Sequence, residues 1–292
     1  MNPRVAADWR ALVWTFGLMP GAALLQYLRP SLAGWMLPVS MYLAYSAGVL
    51  AHNHNHRRVF ENKRANAFYQ AALSFFYGYP TFAWIPTHNE NHHRYVNRPE
   101  DATATTRHTS KNTPWKAFTF FFASAAWQAP LMSAYLRRIR RHSKTAHLWL
   151  LAQYVFVFGG HIAACAIAIS LHGGARGAFV YASALGIPAA GALWGLMFTN
   201  YVQHVDCEPG SRWNHSRNFV SPWMNYLVFD NGFHTVHHDR PNMHWSEARA
   251  AHEAVVANID PRLQESSILS YCVKTYVLPA SSPPTPPRFS LR

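Results

Sequence analysis

The segment Asn231–Pro241 carries His234, His237 and His238. On a helix, spacings of i, i+3 and i+4 put His234 beside both of the others. A lone histidine is usually a core or surface residue whose ring finds ordinary partners. Three within five residues offer a metal ion several neutral ring nitrogens, the commonest protein ligand for transition metals. Three upstream segments add to the set. His52 and His56 stand one helical turn apart, His88 and His92 repeat that spacing with His93 beside them, and His204 ends a long apolar run.

These nine make half of the chain's 18 histidines, too many for one ion of ordinary coordination number. Two metal ions are the economical reading. A structural zinc site needs four ligands and usually recruits cysteine. Cys165, Cys207 and Cys272 are scattered, with no C-x-x-C pair and no disulfide framework. Imidazole suits both copper and iron, and composition alone does not separate them.

Elements that gather these residues must come from an unusual composition. Of 292 residues, 50% are hydrophobic and only 13% charged. That charged share is about half of what a soluble domain carries. The formal net charge of +13 lies in clusters beside apolar runs, notably Arg57, Arg58, Lys63 and Arg64, and again Arg137 to Arg141. This pattern predicts a membrane protein whose basic face meets the cytoplasmic leaflet. Nucleic acid would explain the charge too, but no nucleic-acid motif is present, so no such partner is expected. Met19-Pro20-Gly21 interrupts the first apolar run and no clean cleavage site follows it, so a removable leader is not expected.

Residues 11–28, 31–51, 147–171 and 177–202 approach the roughly 20 residues that a bilayer helix needs. Arg29-Pro30 and the segment 172–176 make tight turns between them. The histidines at 52–56 and 88–93 share a site only if both lie on one side of the membrane. The apolar run 66–85 between them is too short to cross twice, so it is expected to lie along the interface. The run 117–135, broken by Pro130 and flanked by basic residues, reads the same way. The expected fold is an all-α integral membrane protein with four transmembrane helices in two hairpins. Interfacial helices and a cytoplasmic helical cap carry the metal site. A six-helix reading is the rival and would separate the clusters. One domain is expected over residues 1–275, including an amphipathic helix at 246–257 with Ser246 as N-cap, followed by a proline-rich flexible tail at 276–292.

Taken together, His52-x3-His56, His88-x3-His92-His93 and His234-x2-His237-His238, set between two hydrophobic hairpins, resemble the membrane fatty acid desaturase and hydroxylase superfamily. The resemblance covers roughly residues 35–245. It implies that His52, His56, His88, His92, His93, His204, His234, His237 and His238 ligate two iron ions. Asn200-x3-His204 resembles the acyl desaturase site in which the asparagine reaches one iron through water. The implied activity is an O2-dependent oxidoreductase that inserts a C=C bond into a fatty acyl or lipid chain. A hydroxylase of lipid, alkane or terpenoid on the same scaffold is the alternative. No haem or flavin motif is present, so the resemblance implies an external electron donor of ferredoxin or cytochrome b5 type. A lipid-binding membrane protein with a structural metal is the non-enzymatic reading.

Metal-bound histidines usually donate their other ring N–H to a carboxylate or carbonyl. Asp101, Asp206 and Asp239 lie close in sequence to proposed ligands and are the expected partners. His54 points away from His52 and is expected outside the ligand set. Gly159-Gly160 beside His161 suggests close helix packing, with that ring hydrogen-bonded to a neighbouring helix. His215 reads as a loop or surface residue.

Overall fold

A computed structural model describes residues 2–107 and 111–278. The described chain is nearly all helical, as the patterning requires, and divides into two compact units. One comprises the residues up to Ile85 together with Leu131–Leu196, and the other comprises Pro86–Pro130 and the residues from Met197 on. Among the described residues the one departure from all-α is a parallel pair of two-residue strands, β1 (Asn218–Phe219) and β2 (Gln264–Glu265). Residues 279–292, most of the expected tail, lie outside the described residues. Residues 276 and 277 belong to a wide helical turn, Val273–Val277.

The first unit begins with α1 (Asp8–Leu28) and α2 (Ala33–His56). Arg29 leaves the helical region between them, and Pro30 starts the short turn Pro30–Leu32. Helix α2 outruns its apolar segment by five residues, and those residues include His52 and His56. Next comes α3 (Lys63–Tyr77). The Asn62 side chain caps it by accepting the N–H groups of Arg64 and Ala65 at 2.8 and 3.0 Å. It stops at Gly78, whose φ of +82° suits glycine. At 15 residues α3 is about 22 Å long, short of the ~30 Å hydrocarbon core.

Helix α4 (Pro114–His142) runs unbroken through Pro130 for 29 residues, although the sequence predicts a break there. Proline fixes φ at a helical value and removes one N–H, so a long helix can absorb it at the loss of one hydrogen bond. Its C-terminal part belongs to the first unit, where Tyr135 packs with Phe82 and Leu150. Helix α5 (Lys144–His172) is capped by Ser143, whose hydroxyl accepts from Ala146 N at 3.1 Å. Gly173 turns the chain into α6 (Gly174–His204).

Among the described residues, α1, α5 and α6 are long and apolar enough to cross a membrane. Helix α2 is not in that set: Pro38, Ser40, Tyr42, Tyr45 and Ser46 dilute its apolar run. Only 11% of the most apolar stretch of α5 is buried, and Trp149, Val155, Ile162 and Leu171 stand exposed along it. In water that surface would be strongly unfavourable, whereas in lipid it needs no protein partner. His161 sits within α5, part-buried, with its ring nitrogens on Tyr181 Oη and the carbonyl of Phe75, at 3.1 and 2.9 Å. The neighbouring-helix hydrogen bonds expected for it are present.

Among its described residues the second unit holds two apolar cores. Phe120, Tyr201, Val202, Phe219 and Tyr271 anchor one. The other joins Phe233 and Val236 of α8 (His234–Asp239) to Ala248, Ala251 and Val255 of α9 (Ala248–Val255). Between α6 and α8 lies the short α7 (Pro222–Leu227), and α10 (Ile268–Cys272) follows β2. The expected helix at 246–257 appears as α9 flanked by turns. The turn Trp245–Glu247 leads into it and is capped by His244, whose Nδ1 accepts from Ser246 N, so Ser246 lies inside that turn and Glu247 precedes α9 without a side-chain cap.

Candidate metal centre

The site is clearest in the second unit, where four elements deliver seven of the nine expected histidines. Residues Ile85–His92 form a π-helical stretch, continued by one α turn, His93–Tyr95. Its i to i+5 hydrogen bonds widen the turn. His88 and His93, five apart, therefore meet with their Nε2 atoms at 3.0 Å. His237 of α8 brings its Nε2 to 3.0 Å from that of His93. His88, His93 and His237 each offer a ring nitrogen within 4.8 Å of the others'.

A second group forms alongside it. His92, His204, His234 and His238 offer nitrogens within the same mutual distance. The Nε2 of His234 lies 3.0 Å from that of His204 and 3.1 Å from that of His238. Helix α8 therefore serves both groups, with His234 and His238 one turn apart on one and His237 on the other. In the first unit, His52 and His56 occupy the last turns of α2 with ring centroids 4.9 Å apart, and Trp84 lies 5.4 Å from His52.

The outward-facing nitrogens settle which inward atoms carry lone pairs. His92 Nδ1 lies 2.7 Å from Asp101 Oδ2 and 3.0 Å from Thr103 Oγ1. The Thr103 hydroxyl donates to Asp101 Oδ1 at 2.8 Å, so the proton between ring and carboxylate sits on His92 Nδ1. His92 Nε2 is then the unprotonated nitrogen. His204 Nδ1 likewise donates to the carbonyl of His215 at 3.0 Å, which leaves its Nε2 bare. The bare His204 Nε2 lies 3.0 Å from His234 Nε2, so the pair either shares one proton or presents two lone pairs that a cation would accept. Buried His238 Nδ1 and Asn200 Oδ1 have no hydrogen-bond partner. Neutral imidazoles held in one tautomer by a carboxylate and a carbonyl are what a transition metal requires. The residues fit such an ion.

Asp101 is fully buried and also accepts the backbone N–H groups of Asn97 and Thr103, both at 2.8 Å. Burial pushes its carboxyl up, but the facing His92 ring, its hydrogen bond and those two N–H groups outweigh it. The carboxyl is held below the usual carboxylate range. Asn97 is placed by a φ of +62°, and its amide bridges the His204 carbonyl and Thr105. Asp206 accepts from Asn112 at 2.9 Å, and Asp239 pairs with Arg212 and Arg240. Asn200, one turn before His204, has its amide nitrogen 3.5 Å from His92 Nε2.

His54 is buried with Nδ1 on Val59 N and its ring edge-on to Tyr69. His215, read from sequence as a loop, interface or surface residue, does lie in a loop, but its side chain is buried with the ring 5.1 Å from that of His238. Burial first, then the nearby His92 ring, lowers its pKa to about 4, against an opposing pull from Asp239. His238 is also held well below the ordinary histidine value, by burial first and by neighbouring rings. Both rings therefore stay neutral near pH 7.

Apolar helices of membrane length and two sets of converging imidazole nitrogens define a membrane-associated histidine-cluster protein. The family model described as fatty acid desaturase matches residues 5–266, and the chain belongs to that family. No curated protein and no solved structure matches it. Membership makes the chain a lipid-directed oxidoreductase of the membrane.

Proposed function

We propose that the chain is an O2-dependent desaturase that introduces a C=C bond into a fatty acyl or lipid chain at a di-iron centre. The observation that carries this reading is the convergence of His204, His234 and His238 Nε2 while Asp101 and the His215 carbonyl hold the outward nitrogens of His92 and His204. His92, His204, His234 and His238 would hold one iron, with Asn200 reaching it through water. His88, His93 and His237 would hold the other, joined by His52 and His56, whose inclusion rests on their spacing and on the family resemblance. Iron bound there supplies dioxygen activation and removal of hydrogen from an unactivated methylene.

The chain's own part is positional. Asp101 keeps the proton of His92 on Nδ1, and the His215 carbonyl does the same for His204. Burial keeps His215 and His238 neutral. Four transmembrane helices in two hairpins, with α2 beside the three apolar ones, would put every histidine group on the basic cytoplasmic side. Electrons would come from a ferredoxin or cytochrome b5 type protein. Lipid analysis of cells expressing the chain tests the reading. New double bonds are expected, and hydroxylated chains in their place would favour the oxygenase alternative.

A further inference from the structure

His215 lies eleven residues past His204, in the loop that leads to β1, and no spacing rule links it to the other histidines. Its side chain is nonetheless buried, and its Nδ1 has no hydrogen-bond partner. The ring stands at 76° to that of His238, with centroids 5.1 Å apart. His238 Nδ1 is buried without a partner as well. Two rings in edge contact, each with an orphaned nitrogen, make a costly arrangement unless something joins them, because a buried polar atom left unpaired is destabilising.

The rest of the group shows how the pair is completed. A ligand histidine passes its outward N–H to an acceptor. His92 has Asp101 and His204 has the His215 carbonyl. His238 turns Nε2 inward toward His234. Its proton then belongs on Nδ1, which needs an acceptor of its own. The neighbouring carboxylate, Asp239, is already paired with Arg212 and Arg240. A neutral His215 ring has one bare nitrogen to offer.

We infer that His215 is a positioning residue for the metal centre, whose ring accepts the outward N–H of His238 through one bridging water, while its carbonyl accepts that of His204. One residue thereby orients two ligands of the same ion from two different elements, α6 and α8. The inference rests on the metal-centre reading above. The carbonyl's role survives any side-chain change, so substitution isolates the ring.

The test uses the full-length protein in detergent, loaded with Co2+ in place of iron, and reads the visible d–d spectrum and the rate at which a chelator removes the metal. His215→Asn sets an amide oxygen where Nδ1 stood, whereas His215→Ala and His215→Phe remove the acceptor. Loss of such an outer partner costs roughly 10–100-fold in metal affinity. His215→Ala and His215→Phe should shed cobalt that much faster and shift the spectrum, and His215→Asn should restore both to near wild type. His215→Ala with the wild-type spectrum and release rate would overturn the inference. So would His215→Asn behaving like His215→Phe, a comparison that stands even if His215→Ala fails to fold. A wild-type protein that takes up no cobalt would instead count against the metal centre itself.

Discussion

Asp101 Oδ2 stands 2.7 Å from His92 Nδ1, and both side chains are almost wholly buried. The carboxylate has three further donors, Asn97 N, Thr103 N and Thr103 Oγ1, so it cannot turn away without stranding them. His92 is therefore tightly oriented.

That relationship predicts the effect of Asp101→Asn. The amide keeps the volume but presents an N–H or a weaker acceptor to Nδ1, so the ring can exchange tautomers. Metal affinity should fall by roughly 10–100-fold, with a smaller loss of fold stability. Metal titration of the variant, with circular dichroism to confirm folding, checks this. Wild-type affinity in a folded variant would remove Asp101 from the account.

Acidity should weaken the metal-free protein in a defined window. The folded-state pKa of His215 lies at about 4, and that of His238 is also lowered. Above about pH 6.5, the unperturbed histidine value, both rings are neutral whether folded or unfolded, and their full contribution is present. As pH falls from there toward 4, the unfolded chain binds protons that the folded one refuses, so stability is lost. For His215 the loss is on the order of 3 kcal/mol. Thermal unfolding at pH 7 and pH 4.5 should show a smaller decline for His215→Asn than for wild type. Parallel declines would mean that His215 is not buried as a neutral ring.

A purely structural prediction concerns Gly78. At its φ of +82° any side chain is strained, and an added Cβ would come within 2.5 Å of Ala189 Cβ. Gly78→Ala should destabilise by at least about 1 kcal/mol, seen as a lower Tm. An unchanged Tm would show that α3 and the segment around Ala189 are not packed this closely.

The histidines that cluster were legible in the sequence, because a metal site constrains both residue type and spacing. Their division into two groups was not. An α-helical reading pairs His88 with His92, whereas the π-helical stretch Ile85–His92 pairs His88 with His93, and periodicity carries no sign of that widened turn. Asp101, Asp206 and Asp239 looked alike by proximity in sequence. Which of them faces a histidine depends on loop geometry, in particular the positive φ of Val96 and Asn97 that folds the segment back on His92. His215 was invisible for a similar reason, since it acts through a backbone carbonyl and a tertiary neighbour. Pro130 carries no break, because a helix of 29 residues absorbs the loss of one N–H.

The central claim, two iron ions held by histidines, is tested most directly by metal analysis of the purified protein. Iron per chain would be measured beside the His92→Ala and His237→Ala variants, one from each histidine group. Two irons are expected in the wild type, with loss of iron and retained membrane insertion in each variant. A wild-type protein with one metal or none, or full iron content in both variants, would contradict that claim.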